Sequence, residues 1–322
     1  MATITDTKFS DIYIMAESKK AYIPDRCTFN SLIEFCPDDL EDFYNLLVAS
    51  YDGKNTSYSV KYDGILYRVE KSEAISGAQY CARKMPSQVP SIKALAYPPE
   101  LVTYLMALRR SSGLILVSGA TGSGKTTTIS ALLREYLIKE GGFAYTIEDP
   151  NEHPLEGVYG AECGGVGLCR QTVPVNGQWG ESLKSALRSR PRYIMLGEIR
   201  SPDAASEVLR AATSGHLVLS TIHANNVSDA INAVVKYASA GDMSEDLAYD
   251  LFSRGMLGVL HQTLEGKGLK KPNVQYLFAN PDTSCGDQVR GIIKTGNLNL
   301  ATAIDTQMTR LSKGINLFPK SD

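Results

Sequence analysis

The sequence predicts an α/β protein of two domains, the larger built on a mostly parallel sheet wrapped by helices. Three observations carry this expectation. From Ser112 onward, short apolar runs of strand type alternate with helical patterns, as in repeated strand–helix–strand units. Before them Pro86, Pro90, Pro98 and Pro99 crowd a short span, a density that breaks regular structure and marks a linker. Ahead of the linker, one amphipathic helix and one alternating hairpin make a small α/β pattern of their own. The expected division is residues 1–86, a linker with a short helix over 87–111, and the larger domain over 112–322.

In the first segment, "PDDLEDFYNLLVASY" opens with Pro37 at a helix start and acids in its first turn. Leu40, Phe43, Tyr44, Leu47, Val48 and Tyr51 then recur at helical spacing and form one apolar face. "YSVKYDGILYRVE" alternates Tyr58, Val60 and Tyr62, then Ile65, Tyr67 and Val69, and Asp63-Gly64 between them is a two-residue turn signal, which makes a hairpin. After the prolines, "ELVTYLMALRR" reads as a short helix. No internal repeat or low-complexity tract interrupts the chain.

Composition restricts the functional classes. The chain has 322 residues, 43% of them hydrophobic and 21% charged, which is ordinary globular usage and ample for two cores. A formal net charge of −2 offers no general electrostatic attraction for nucleic acid, and no direct nucleic-acid partner is expected. The six cysteines, Cys27, Cys36, Cys81, Cys163, Cys169 and Cys285, form no CxxC pair, so neither a zinc ribbon nor a thioredoxin-like site is expected, and reduced thiols are. The opening "MATITDTKFSDIY" lacks a signal-peptide pattern, and no apolar stretch approaches the roughly 18 residues that span a bilayer. The expectation is a soluble, cytoplasmic protein.

The strongest local signal is "GATGSGKTTT", Gly119 to Thr128, which satisfies the full P-loop pattern. The run "GLILVS" before it is a short buried strand, and Ile129, Leu132, Leu133 and Tyr136 behind it mark an amphipathic helix. Strand, glycine loop and helix are what phosphate binding requires. Gly119, Ala120, Thr121, Gly122, Ser123 and Gly124 turn backbone N–H groups toward phosphate oxygens, and the helix N-terminus at Lys125, Thr126 and Thr127 adds its positive dipole. Lys125 is placed to reach the β- and γ-phosphates, and the Thr126 hydroxyl to ligate Mg²⁺. A nucleoside triphosphate, ATP with Mg²⁺, is therefore the expected ligand.

Three later segments each end an apolar strand in polar residues: "FAYTIEDPNE" with Glu148, Asp149 and Glu152, "YIMLGEIR" with Glu198 and Arg200, and "HLVLSTIHANN" with Thr221, His223 and Asn225. In a parallel sheet all strand C-termini share one edge, so these residues are expected to converge on the phosphate loop. Phosphoryl transfer needs a metal holder, a group that orients water, and positive charge. Glu198 fits the metal role, Glu152 or Glu148 the water-orienting role, and His223 a sensor of the γ-phosphate. Arg188, Arg200 and Arg210 are candidates for the positive charge.

Taken together, these segments resemble the type II/IV secretion ATPase superfamily (PilT-, GspE- and DotB-like proteins), and most of all its pilus-retraction motors. The family's Walker A motif resembles "GATGSGKTTT", its aspartate box "TIEDPNE", its atypical Walker B "IMLGEIR" with Gly-Glu where most NTPases have Asp-Glu, and its histidine box "SGHLVLSTIHANN". "ALRSRP" and "MLGVLHQTL" also fit, so the resemblance runs from about residue 57 to 310. It implies a PAS-like N-terminal domain joined to a RecA-like P-loop NTPase domain, in a homo-hexameric ring docked peripherally on an inner-membrane platform protein. It also implies Glu152 as catalytic base, Glu198 as the Walker-B carboxylate, His223 as the box histidine, and Arg83, in "YCARKMPS", as an arginine that reaches the nucleotide.

Some features depart from the family pattern. The C-terminal retraction signature is only partly kept in "QVRGIIKT", where Arg290 and Ile293 match but Gly291, Lys294 and Thr295 differ. "GAECGGVGLCRQ", residues 160–171, is expected as a loop longer than usual and rich in Gly and Cys, either a permissive surface loop or an insertion that contacts a neighbour. The implied function is an ATP-hydrolysing ring motor for a type IV pilus or for a type IV secretion or conjugation system. Two alternatives come from other classes: a RecA-like nucleic-acid translocase, which needs a basic groove or stacking platform that is not evident here, and a nucleotide-dependent regulator without turnover, which needs neither Glu152 nor Glu198.

Overall fold

The computed structural model describes residues 2–25, 31–266, 271–283 and 286–318, apart from the Asn176 side chain. Of the cysteines, Cys36, Cys81, Cys163 and Cys169 are free thiols, while Cys27 and Cys285 lie outside the described residues. The chain forms two compact units. One is the chain up to Gln88 together with Glu152–Pro154, and the other is Val89–Asn151 with the chain from Leu155 onward.

The first unit is a six-stranded antiparallel sheet with one helix. Its elements are β1 (Asp11–Met15), β2 (Lys20–Pro24), β3 (Leu32–Phe35), α1 (Leu40–Ala49), β4 (Ser57–Tyr62), β5 (Ile65–Ala74) and β6 (Gly77–Lys84), in the order β3-β2-β1-β6-β5-β4. The expected hairpin is present, with Tyr62 paired to Ile65. Its turn residues Asp63 and Gly64 have φ of 46° and 80°, the two left-handed positions of a type I′ turn. Helix α1 buries Phe43 and Leu47 against Ile12, Tyr67, Val69 and Tyr80, and the Phe43 ring meets the Tyr62 and Tyr67 rings edge-on at 5.0 and 4.9 Å. The helix starts at Leu40, three residues later than the Pro37 signal suggests. The Asp39 carboxylate accepts hydrogen bonds from the Ile4 N–H (3.0 Å) and the Tyr62 hydroxyl (3.1 Å) instead of capping its own helix, so tertiary contacts set the boundary.

The second unit is built on an eight-stranded sheet. Its elements are α2 (Pro99–Ala107), β7 (Gly113–Ser118), α3 (Lys125–Glu140), β8 (Gly142–Ile147), β9 (Gly157–Gly160), β10 (Val166–Thr172), α4 (Trp179–Arg188), β11 (Tyr193–Leu196), α5 (Pro202–Ala212), β12 (Leu217–Ile222), α6 (Val227–Ser239), α7 (Glu245–Gly255), β13 (Met256–Glu265), β14 (Lys271–Phe278), α8 (Gln288–Lys294) and α9 (Ala301–Ser312). The strand order is β14-β13-β7-β12-β11-β8-β10-β9. Six strands, β13 through β10, run parallel, and β14 and β9 are antiparallel at the two edges.

Both faces of this sheet are covered, as a parallel sheet requires. Along β7, Leu114 and Leu116 point into one core with residues of α4, α5, α6 and α7. Ile115 and Val117 point into the other core with residues of α2 and α3. The same alternation divides β11 and β12 between the two cores, and it makes each strand buried at every position rather than at every second one.

Residues 160–171 are not a long loop. Residues 166–172 are strand β10, which pairs in parallel with β8 and antiparallel with β9, leaving only a short turn over 161–165. Gly167 and Cys169 face the sheet interior, and Cys169 is fully buried, with its thiol pushed up in pKa by desolvation. Gly content disguises the strand, because Gly167 is there for close approach: a Cβ on it would stand 2.9 Å from the Leu137 carbonyl oxygen of α3. Gly167→Ala should therefore lower unfolding stability by about 1–3 kcal/mol, whereas Gly160→Ala, which meets nothing within 4 Å, should stay within about 0.5 kcal/mol of the parent. Urea unfolding of the two variants tests this, and equal effects would refute it.

Candidate functional site

The parallel strands deliver the expected side chains to one edge. In the sheet register Ser118 of β7 stands opposite Ile222 of β12 and His261 of β13, while Leu196 of β11 stands opposite Ile147 of β8 and Ser220 of β12. The residues that follow these strand ends are Gly119, Glu148, Gly197-Glu198 and His223. Two further hydrogen bonds tie the ends of β11 and β12, from the Thr221 hydroxyl to the Gly197 carbonyl (2.6 Å) and from the Ile199 N–H to the Thr221 carbonyl (2.9 Å).

The loop over residues 119–124 turns through glycines where other residues are strained: φ is 148° at Gly119, 77° at Gly122 and 86° at Gly124. Helix α3 begins at Lys125 and runs 16 residues, so its free N–H groups and dipole face the loop. The Lys125 ammonium is buried and donates to the Gly119 and Ala120 carbonyls, each at 3.0 Å. Its Nζ also lies 3.5 Å from His223 Nδ1, and His223 Nε2 lies 3.0 Å from Glu198 Oε1. These partners settle the ring's tautomer. Nε2 carries the proton that the carboxylate accepts, and Nδ1 presents its lone pair to the ammonium. Lys125, His223 and Glu198 thus form one chain of alternating donors and acceptors across three segments separated widely in sequence. Thr126 and Thr127, half-buried, open α3 beside it.

The remaining candidates are distributed as follows. Glu148 is almost fully buried, and its Oε1 accepts a hydrogen bond from Gln171 Nε2 at 3.1 Å. A Cβ at Gly197 would stand 3.3 Å from Glu148 Cγ, so the glycine of the "GE" pair makes room for this carboxylate. Glu152 lies beyond the end of β8 and groups with the first unit rather than the second. Arg200 is half exposed, approaches Asp149 at 3.5 Å and lies over the ring of Trp179, the chain's single tryptophan, with 4.7 Å to the centroid. Arg210 is engaged by Glu207 and Asp242, and Arg83 by Asp11 at 2.7 Å, so both have structural partners. Arg188 is exposed at the end of α4 and makes no ion pair among the described residues. Arg290, a retained residue of the C-terminal signature, donates to the carbonyls of Ser253, Arg254 and Asn280 and so fastens α8 to the end of α7.

The sequence assigns no role to one group of residues at the loop. Gln262 on β13 is buried and joins the loop to Tyr97 and Thr128. A polar residue inside the apolar run of β13 was the available signal. The residues present fit a bound triphosphate, since glycines open the loop and a buried ammonium stands at its centre. Thr126 and Glu198 supply the hard oxygen donors that Mg²⁺ takes. Among the described residues no cluster of three or more His, Cys, Asp or Glu forms a dedicated metal site.

With this geometry in place, comparison with known proteins gives the class. The family profile for type II/IV secretion system proteins matches residues 52–267, about two-thirds of the chain. The chain belongs to that family of type II/IV secretion system proteins. A twitching motility protein of Neisseria gonorrhoeae is 27% identical over 255 residues, covering 76% of this chain and 65% of that protein. Type II secretion system protein E of Pseudomonas aeruginosa is 37% identical over 157 residues, covering 49% of this chain and 28% of that protein. The chain thus spans between about a quarter and two-thirds of these relatives' lengths. The fold is shared with a crystal structure of the pilus retraction motor PilT with bound ADP (TM-score 0.74, 23% identity, 98% of this chain and 94% of that one). It is shared also with the ATPase DotB of Legionella pneumophila (TM-score 0.66, 19% identity, 95% and 88%).

His261, opposite Ser118 and 3.2 Å from its hydroxyl, is held below the usual imidazole pKa by burial, and burial lowers that of His153 as well. A folded state that keeps these rings neutral loses stability once the unfolded chain binds protons, that is, as pH falls below about 6.5. The urea midpoint should therefore drop between pH 7 and pH 5.5, and His261→Gln should flatten the drop. An unchanged pH slope in the variant would show that His261 contributes nothing.

Proposed function

We propose that this chain is an ATP-hydrolysing motor subunit whose ring powers a type IV pilus or a type IV secretion or conjugation machine. The observation that carries the reading is the Lys125–His223–Glu198 chain, set beside a glycine loop at the carboxyl edge of a parallel sheet. In this reading the second unit is a RecA-like ATPase and the first a PAS-like partner domain. Lys125 releases its loop carbonyls to take the β- and γ-phosphates. Thr126 and Glu198 would hold Mg²⁺, which would neutralise charge on the phosphate oxygens. His223, already hydrogen-bonded to Glu198, reports whether the γ-phosphate has arrived at Lys125.

The water-orienting carboxylate is Glu152. Glu148 is buried and committed to Gln171, which suits a group that supports the site rather than one that takes a proton from water. Arg200, Arg188 and Arg83 are exposed enough to meet a nucleotide, and Arg83 becomes available by exchanging Asp11 for phosphate. An arginine supplied across a subunit boundary raises turnover by about 10³–10⁵, so activity depends on assembly into a homo-hexamer. The ring docks peripherally on a platform protein of the inner membrane. Among the described residues no helix is long and apolar enough to cross a membrane.

Phosphate release measured against protein concentration tests the reading, with a steep rise as rings assemble as the expected outcome. A fully active monomer, or stimulation only by single-stranded DNA in a salt-sensitive way, would replace it. Glu152→Gln should keep ATP binding but lose about 10²–10⁴-fold in turnover, and near-normal turnover would move the base elsewhere.

A further inference from the structure

Three buried polar side chains lie outside the phosphate-contacting set, and two of them, Gln262 and Thr128, end on the loop while Tyr97 joins it through them. Gln262 Nε2 donates to the Ser123 carbonyl, and Gln262 Oε1 accepts from the Thr128 hydroxyl at 3.0 Å and from the Tyr97 hydroxyl. The Tyr97 and Thr128 hydroxyl oxygens are 2.7 Å apart, and Thr128 also reaches the Gly124 carbonyl at 3.1 Å. All three residues are nearly inaccessible: Gln262 is 3% exposed, Tyr97 6% and Thr128 1%.

The amide has only one workable orientation. Turned over, it would aim Oε1 at the Ser123 carbonyl oxygen and bury two acceptors against each other. The loop glycines are shaped to the same residue. A Cβ on Gly119 would collide with the Gln262 carbonyl oxygen, and one on Gly124 would stand 2.9 Å from Gln262 Nε2. These two glycines therefore seat the loop on Gln262 as well as opening it to phosphate.

We infer that Gln262 is a positioning residue that holds the phosphate loop in its binding shape and, through Tyr97, ties that shape to the segment 89–97. This rests on the loop being a nucleotide site. Tyr97 ends the stretch by which the chain enters the second unit. It is followed by Pro98 and Pro99, and Pro99 opens α2, so the segment has little freedom to absorb a displacement of the Tyr97 ring. A nucleotide that pulls on Ser123 and Lys125 therefore acts on Tyr97 through two hydrogen bonds and no flexible link. By linkage, loosening Tyr97 must loosen nucleotide binding.

The test compares Tyr97→Phe, Gln262→Met and the double variant with the parent protein at 25 °C, where each is folded by circular dichroism. ATP titrations should show affinity weakened about tenfold in each single variant, the scale of one or two lost hydrogen bonds. The double variant should be little weaker than the worse single one, because both remove the same connection. Hydrogen exchange over residues 89–97 should change when ATP binds the parent and stay unchanged when it binds Gln262→Met. Parent-like ATP affinity in both single variants, or an exchange response kept in Gln262→Met, overturns the inference even if the variants melt earlier. A parent protein that binds no ATP would instead refute the nucleotide reading on which the inference rests. Tyr97→Phe removes a single oxygen, so it keeps the test decisive if Gln262→Met fails to fold.

Discussion

The parallel pairing of β7 with β12 on one side and β13 on the other is the constraint on which the site depends. It sets Ser118, Ile222 and His261 abreast, so the next residues along each strand, Gly119, His223 and Gln262, emerge within reach of one another. Pairing of β11 with β12 and β8 adds Glu198 and Glu148 at the same edge. A slip of one residue in any of these ladders would turn a polar residue into a core. The largely apolar strand interiors, shared between two cores, make such a slip expensive.

The charges gathered at this edge compensate one another. The buried Lys125 ammonium is held by two carbonyl dipoles and the His223 lone pair, and the imidazole passes the interaction on to Glu198. An ammonium in so little water needs such partners, because its desolvation is costly. In the proposed reading a triphosphate would replace these carbonyls as the partner of the ammonium.

Much of this was legible in the chain. The glycine spacing around Lys125, the polar residues at the ends of three apolar runs, and the hairpin at Asp63-Gly64 rest on local rules: left-handed backbone at glycine, alternation in strands, and the common edge of parallel strands. Other elements were misread for physical reasons. Strand β10 looks like a loop because its Gly167, which serves close packing against α3, follows Gly164 and Gly165 of the turn, and α1 starts late because Asp39 is claimed by Ile4 and Tyr62. Neither Tyr97 nor Gln262, although the latter falls within "MLGVLHQTL", is tied to the loop by local pattern, since their partners lie 139 and 165 residues away along the chain.

The sequence by itself determined the chemistry on offer, a loop for phosphate, a lysine, carboxylates and an imidazole, because backbone conformation and side-chain type are local properties. Only the tertiary structure decided which of these are bonded to which. It joined His223 to Glu198, buried Glu148 beneath Gly197 and seated the loop on Gln262, because strand register and packing bring together residues that the chain keeps far apart.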